Sequence, residues 1–152
     1  MIQRKQSIYL VISLILWGLI SKGPLIGFQD GVGGAWSLLD NGIKDLHSGK
    51  LVIEYIPLII FFFAVELLLI ISALLYTKRE LQAKLVVVSI VLELLSYGLI
   101  AFYTFSAKSQ LHAQPEFRLM IIMPLLSAIG SFLAYRGIRH DISLVKAQDR
   151  IR

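Results

Sequence analysis

Four apolar stretches of membrane-crossing length, residues 8–28, 55–76, 85–105 and 119–135, constrain this chain more than any other feature. Bilayer hydrocarbon is about 30 Å thick, and a helix rising about 1.5 Å per residue needs roughly 20 residues to cross it. No water reaches that depth. A crossing segment must therefore satisfy its own N–H and C=O groups, which a helix does and an isolated strand does not. The expected fold is all-α: an antiparallel four-helix membrane bundle over residues 1–135, followed by a basic tail at 136–152. Composition agrees, with 57 % apolar and only 16 % charged residues, against about 45–50 % and 25 % in soluble domains. Four spans leave no room in 152 residues for a second folded domain. Zero cysteines exclude disulfides, thiolate metal sites and cysteine nucleophiles.

The net charge of +5 suggests nucleic acid until the bases are placed. Arg4 and Lys5 precede the first stretch, Lys78, Arg79 and Lys84 fall between the second and third, and Arg136, Arg139, Lys146, Arg150 and Arg152 follow the fourth. The opposite side holds only Lys22, Lys44, Lys50, Lys108 and Arg118. Short loops with this asymmetry put both termini in the cytoplasm. The basic excess is thus a topology signal, with anionic lipid headgroups as its partner and no nucleic acid.

The basic start at residues 1–7 and the apolar run 8–20 after it imitate a signal peptide, but no small-x-small cleavage site follows, so an uncleaved first span is expected, loosened outside by Gly23, Pro24 and Gly27. Residues 29–54 form the largest exterior loop. Asp30-Gly31-Val32-Gly33-Gly34 and Asp40-Asn41-Gly42 are turn sequences, and the apolar residues between them suggest a small hairpin or an interfacial lid. Pro57 suits a first helical turn, whereas Pro124 is expected to kink the fourth span. Ser127/Ser131 and Gly130/Ala134 are small-xxx-small pairs that allow close helix packing in lipid. In the tail, Ile138, Ile142 and Val145 recur at helical spacing, giving an amphipathic helix expected to lie along the cytoplasmic headgroups or on a partner.

Two carboxyl groups lie inside the spans, Glu66 and Glu93. From span ends they stand about 15 Å and 12 Å deep. An ionisable residue there costs about 2.5–3.5 kcal/mol by insertion scales and is a functional candidate by default. Hydrocarbon disfavours the charged form, so each is expected neutral unless a cation or base joins it. Converging, they would make a proton or cation site; separately, they would hydrogen-bond across helices or pair with a base on another subunit. No span offers a Lys, Arg or His near that depth to complete a relay. The three histidines, His47, His112 and His140, are scattered without metal-ligand spacing, so no metal site is expected. No catalytic residue and no cofactor is expected either, because no nucleophile elbow, P-loop, zinc helix or dinucleotide fingerprint occurs.

Three stretches carry a resemblance: Met1-Ile-Gln-Arg-Lys-Gln-Ser-Ile-Tyr-Leu10, Lys78-Arg-Glu-Leu-Gln-Ala-Lys-Leu85 and the tail from Tyr135 to Arg152 with its Asp149-Arg150. Together they resemble an uncharacterised family of small four-span membrane proteins of the Bacteroidota. The resemblance implies an inner-membrane location and no activity. The family has Asp-Glu where this chain has Asp141-Ile142, which lengthens the apolar stripe of the tail. All three stretches are cytoplasmic, so Gln3, Arg4, Gln82, Asp141, Asp149 and Arg150 are candidates to tie these segments together or to present one surface to a larger membrane complex. The expected role is that of a non-enzymatic accessory or stabilising subunit of such a complex. The alternative is a proton- or cation-coupled carrier using Glu66 and Glu93.

Overall fold

In the computed structural model, which describes residues 3–31 and 33–149, the first helix stops early. Helix α1 spans Gln3–Gly18, and a 3-10 turn at Ile20–Lys22 leads to Gly23 and Pro24. Proline has no N–H and fixes its own φ, so a helix cannot run through this point to Phe28. The rest of the expected first span is instead strand β1, Ile26–Gln29. β2 (Ala35–Leu39), β3 (Gly42–Asp45) and β4 (Leu51–Glu54) follow it. Helices α2 (Ile56–Leu74) and α3 (Arg79–Leu111) come next, then strand β5 (Gln114–Phe117), a 3-10 turn at Leu119–Ile122, and helix α4 (Met123–Asp149).

The chain is mostly helical, but it is not all-α. Five strands form one antiparallel sheet in the order β4-β3-β2-β1-β5. The turn sequences do their expected work inside it. Asp30 takes the Gly34 N–H on its carboxyl oxygen at 2.6 Å, closing the turn between β1 and β2. Asp40 and Asn41 make a two-residue hairpin closed by the Leu39–Gly42 pair. Gly42 has φ +140°, and a Cβ there would run into the Ile53 carbonyl of β4, so only glycine fits. The long-range pairing of β1 with β5 then joins segments far apart in the chain, with Ile26 opposite Phe117 and Gln29 opposite Gln114.

Below the sheet the helices pack in the cyclic order α1, α2, α3, α4, each touching its two neighbours. Three of them (Ile56–Leu74, Arg79–Leu111 and Leu119–Val145) are long and apolar enough to cross a membrane; the apolar part of the first, Gln6–Lys22, is shorter. α3, with 33 residues, is about 50 Å long and outruns the hydrocarbon. Pro124 sits in the first turn of α4, where no i−4 bond exists to be lost, so it begins the helix rather than kinking it toward its outer end. The Tyr97 hydroxyl of α3 supports that turn, donating to the Ile121 carbonyl at 2.8 Å and accepting the Leu125 N–H at 3.2 Å.

Two apolar clusters hold the fold. The outer one joins the sheet (Ile26, Phe28, Leu38, Ile43) to the outer halves of the helices (Trp17, Phe62, Ile100). The inner one comprises Leu10, Ala83, Val86, Ala134, Ile138 and Ile142. Its last two members correct the expected place of the tail. No break follows Tyr135, so α4 runs on to Asp149, and the stripe begun by Ile138 and Ile142 packs against α1 and α3. Gly137 makes the approach possible, since a Cβ there would meet the Gln6 side chain.

Candidate functional site

Between the two clusters lies a layer of polar side chains. It arises from the buried stripe of α3, where Ser89, Glu93 and Ser96 recur at helical spacing, between Val86 and Ile100. Ser89 and Ser96 return their hydroxyls to their own helix, donating to the Val86 and Glu93 carbonyls at 2.8 and 2.6 Å. Glu93, fully buried, reaches across to α4. Its Oε1 lies 2.5 Å from the Ser127 hydroxyl and 3.2 Å from that of Ser131. Ser127 also stands 3.0 Å from the Ser13 carbonyl of α1, so one carboxyl group joins three helices.

The hydrogens in this cluster can be counted. Ser127 has a single hydroxyl hydrogen and two oxygens within reach. If it donates to Ser13, the contact with Glu93 needs a hydrogen from the carboxyl group itself. A neutral acid would supply it, with Glu93 donating to Ser127, Ser127 to the Ser13 carbonyl and Ser131 to Glu93; a carboxylate would instead accept from both Ser127 and Ser131. Oε2 has no partner, which is tolerable for a neutral carbonyl-type oxygen and costly for a carboxylate. The cluster ties three helices together.

Ser127, Gly130, Ser131 and Ala134 are all buried. Gly130 lies against Ser13 and the Tyr9 carbonyl of α1, where a Cβ would press on the Ser13 hydroxyl. The small residues therefore bring α1 close, and the serines among them serve as the hydrogen-bond partners of Glu93.

Glu66 lies elsewhere. It is partly exposed and lines a cleft of about 110 Å³ with Trp17, Gly18, Ser21 and Asp40, between the end of α1, the β2–β3 turn and α2. Among the described residues it has no hydrogen bond or ion pair. It shares the cleft with Asp40, whose carboxyl is held above its usual range by burial and, to a smaller extent, by the negative charge of Glu66; backbone N–H groups and Lys22 pull the other way. The two carboxyls thus have separate surroundings and share no partner among the described residues.

On the opposite end of the helices, Lys78, Lys84, Arg136 and Arg139 are exposed and Arg79 is half-buried. Arg150 lies outside the described residues, as do the side chains of Arg4, Lys5, Lys146 and Asp149. Gln82 is buried, and its amide donates to the Ser72 carbonyl at 2.9 Å, tying α3 to α2. Gln82 and Asp141 meet in one cleft with Arg79. Among the described residues no group of three or more His, Cys, Asp or Glu side chains could hold a metal ion.

The family described as a domain of unknown function, DUF4293, matches residues 2–151. The chain belongs to this family. No curated protein matches it. In this DUF4293 chain, sequence reasoning found Glu93 but missed its partners: Ser13 was unremarked, and the serines of α4 figured only as spacers. A small hydroxyl residue amid aliphatics in the first stretch was the available signal for Ser13. Nothing local signalled Asp40, which reaches the Glu66 cleft only because the sheet folds over the helices.

Proposed function

We propose that this protein is a non-enzymatic membrane protein, an antiparallel four-span bundle with both termini in the cytoplasm, serving as an accessory or stabilising subunit of a larger inner-membrane assembly. One observation carries the membrane part: polarity is inverted across the helices. Their buried faces hold Ser13, Ser72, Ser89, Glu93, Ser96, Ser127 and Ser131, while their exposed faces present Ile15, Phe63, Val91, Leu95, Ile129 and Phe132. A soluble helix does the reverse; hydrocarbon outside and small polar contacts inside are what lipid favours. The exposed bases at the α2–α3 connection and on α4 support the cytoplasmic side assigned to that end.

The accessory role draws support from how the interior polar groups are used. Glu93, Gln82, Tyr97 and Trp17 all fasten one helix to another. A carrier built on Glu66 and Glu93 would need both carboxyls on one path, and they face different surroundings. Since the native chain has no cysteine, single-cysteine variants test the topology directly. Lys44→Cys should react with an impermeant maleimide from outside, and Ser143→Cys only after permeabilisation. Crosslinking in native membranes should then capture a stoichiometric partner. A chain recovered only as monomer overturns the subunit role, and unchanged proton flux in Glu66→Gln and Glu93→Gln proteoliposomes excludes the carrier.

A further inference from the structure

A cleft of about 750 Å³ opens between α1, the connection joining α2 to α3, and α4. Its two sides differ in chemistry. Ile8, Val11 and Ile12 form one wall, about half exposed each and spaced i, i+3, i+4 on one face of α1. Arg79 and Asp141 line the polar part, with hydroxyls from Ser7 and Thr77 nearby.

Asp141 is the unusual member. It is only 7 % exposed, yet its carboxyl has no hydrogen bond or ion pair among the described residues. Arg79 is half-buried in the same cleft and is equally unpaired. A buried charged group is normally paired or hydrogen-bonded. Here a negative and a positive group line one cavity without meeting, so a ligand that completes both carries both signs. A primary ammonium suits the enclosed Asp141 because it offers three donors in a small volume; a quaternary ammonium is bulkier and offers none. A phosphate suits Arg79, which pairs with it in a planar, two-pronged geometry. The apolar wall beside them suits acyl chains, for which a free headgroup has no use.

We propose that this cleft is a binding site for an aminophospholipid of the phosphatidylethanolamine class, with its ammonium on Asp141, its phosphate on Arg79 and an acyl chain along Ile8, Val11 and Ile12. The site rests on the reading above that these helices cross a bilayer with this end in the cytoplasm.

The test uses the full chain in mild detergent, equilibrated with mixed micelles holding equal amounts of phosphatidylethanolamine, phosphatidylcholine and phosphatidylglycerol of identical chains. Retained lipid is then read by native mass spectrometry. The wild type should retain phosphatidylethanolamine about tenfold over each of the others, as expected when one charge-assisted contact is at stake. Asp141→Asn should abolish the preference over phosphatidylcholine, and Arg79→Gln should lower retention of all three about tenfold. Should Asp141→Asn fail to fold, Val11→Trp fills the apolar side without touching either charge and should lose the lipid. Equal retention of the three lipids, an Asp141→Asn preference like that of the wild type, or efficient competition by soluble glycerophosphoethanolamine would overturn the site. A chain that stays in alkali-washed membranes yet shows no preference refutes the lipid site alone. A chain released from those membranes refutes the bilayer reading as well.

Discussion

Glu93 and Glu66 lie on adjacent helices, and their surroundings have almost nothing in common. Around Glu93 three helices close in, and the small side chains of α4 let them approach until every hydroxyl has an assigned partner. Around Glu66 the helix α1 has already ended, leaving a cleft that the β2–β3 turn only partly fills. A carboxyl inside an apolar helix is therefore not one kind of feature. Where neighbours are small and hydroxylated it becomes a joint between helices; where a neighbouring helix stops short it remains partly exposed and unpartnered.

The largest effect expected from that contrast comes from Glu93→Ala, which leaves a void and strips Ser131 of its acceptor. Thermal unfolding in detergent should show a loss of about 2–4 kcal/mol. Glu93→Gln should cost less, about 1–2 kcal/mol, because it keeps the volume and its amide can donate to Ser127 from the place of Oε1, where Ser131 then finds no acceptor. Equal damage from both substitutions would mean that the carboxyl proton itself is indispensable, and the joint would need another explanation. Next comes Gly130→Leu, which pushes α1 from α4 and should cost about 1–3 kcal/mol by overpacking. If it unfolds no more readily than the wild type, the close approach contributes nothing to the joint.

Smaller effects belong to the Glu66 side. Glu66→Gln should change stability by no more than about 0.5 kcal/mol, as for a partly exposed group without partners; a loss approaching that of Glu93→Ala would erase the contrast. Asp40 adds a sign. Its carboxyl is raised above its ordinary value, so the folded chain holds this proton more tightly than the unfolded one. Its effect on stability is therefore unfavourable at neutral pH and is relieved as acid protonates the group within the fold. Asp40→Asn should accordingly raise the unfolding temperature at pH 7, raise it less at pH 4, and bring no gain once the pH lies well below the ordinary carboxylate value.

The smallest effect is expected at the far hairpin. The His47 backbone N–H, bonding to Asp45 at 2.8 Å, holds that carboxyl below its usual range. The stability it contributes is present above the ordinary carboxylate value and is lost as pH falls through the lowered one. Amide exchange at Ser48 and Gly49 should quicken only in that acid range, with α2 and α3 unaffected.

Much of this was legible in the chain. Asp30, Asp40 and Gly42 announced turns, and they make them. The small residues of α4 announced a packing seam, and they are buried in one. Ile138 and Ile142 announced an apolar face, although what covers it is protein. Other features were not legible. The aliphatic run from Ile8 to Phe28 looks continuous because hydropathy does not distinguish a helix in lipid from a buried strand of a sheet; Gly23 and Pro24 signalled a loosened outer end but not a strand. β5 pairs with β1 across most of the chain's length, and no local pattern predicts that.

Composition and periodicity by themselves determined that the second, third and fourth apolar stretches hold helices fit for hydrocarbon, which residues turn the chain and which end carries more of the bases, because these depend on each segment's own length, charge and backbone freedom. Only the tertiary structure decided that the exterior segments share one sheet, that Glu93 finds Ser13, Ser127 and Ser131 while Glu66 finds Asp40, and that Arg79 and Asp141 face one cleft. Those outcomes depend on how helices from distant parts of the chain rotate and end against one another, and spacing along a single helix fixes neither.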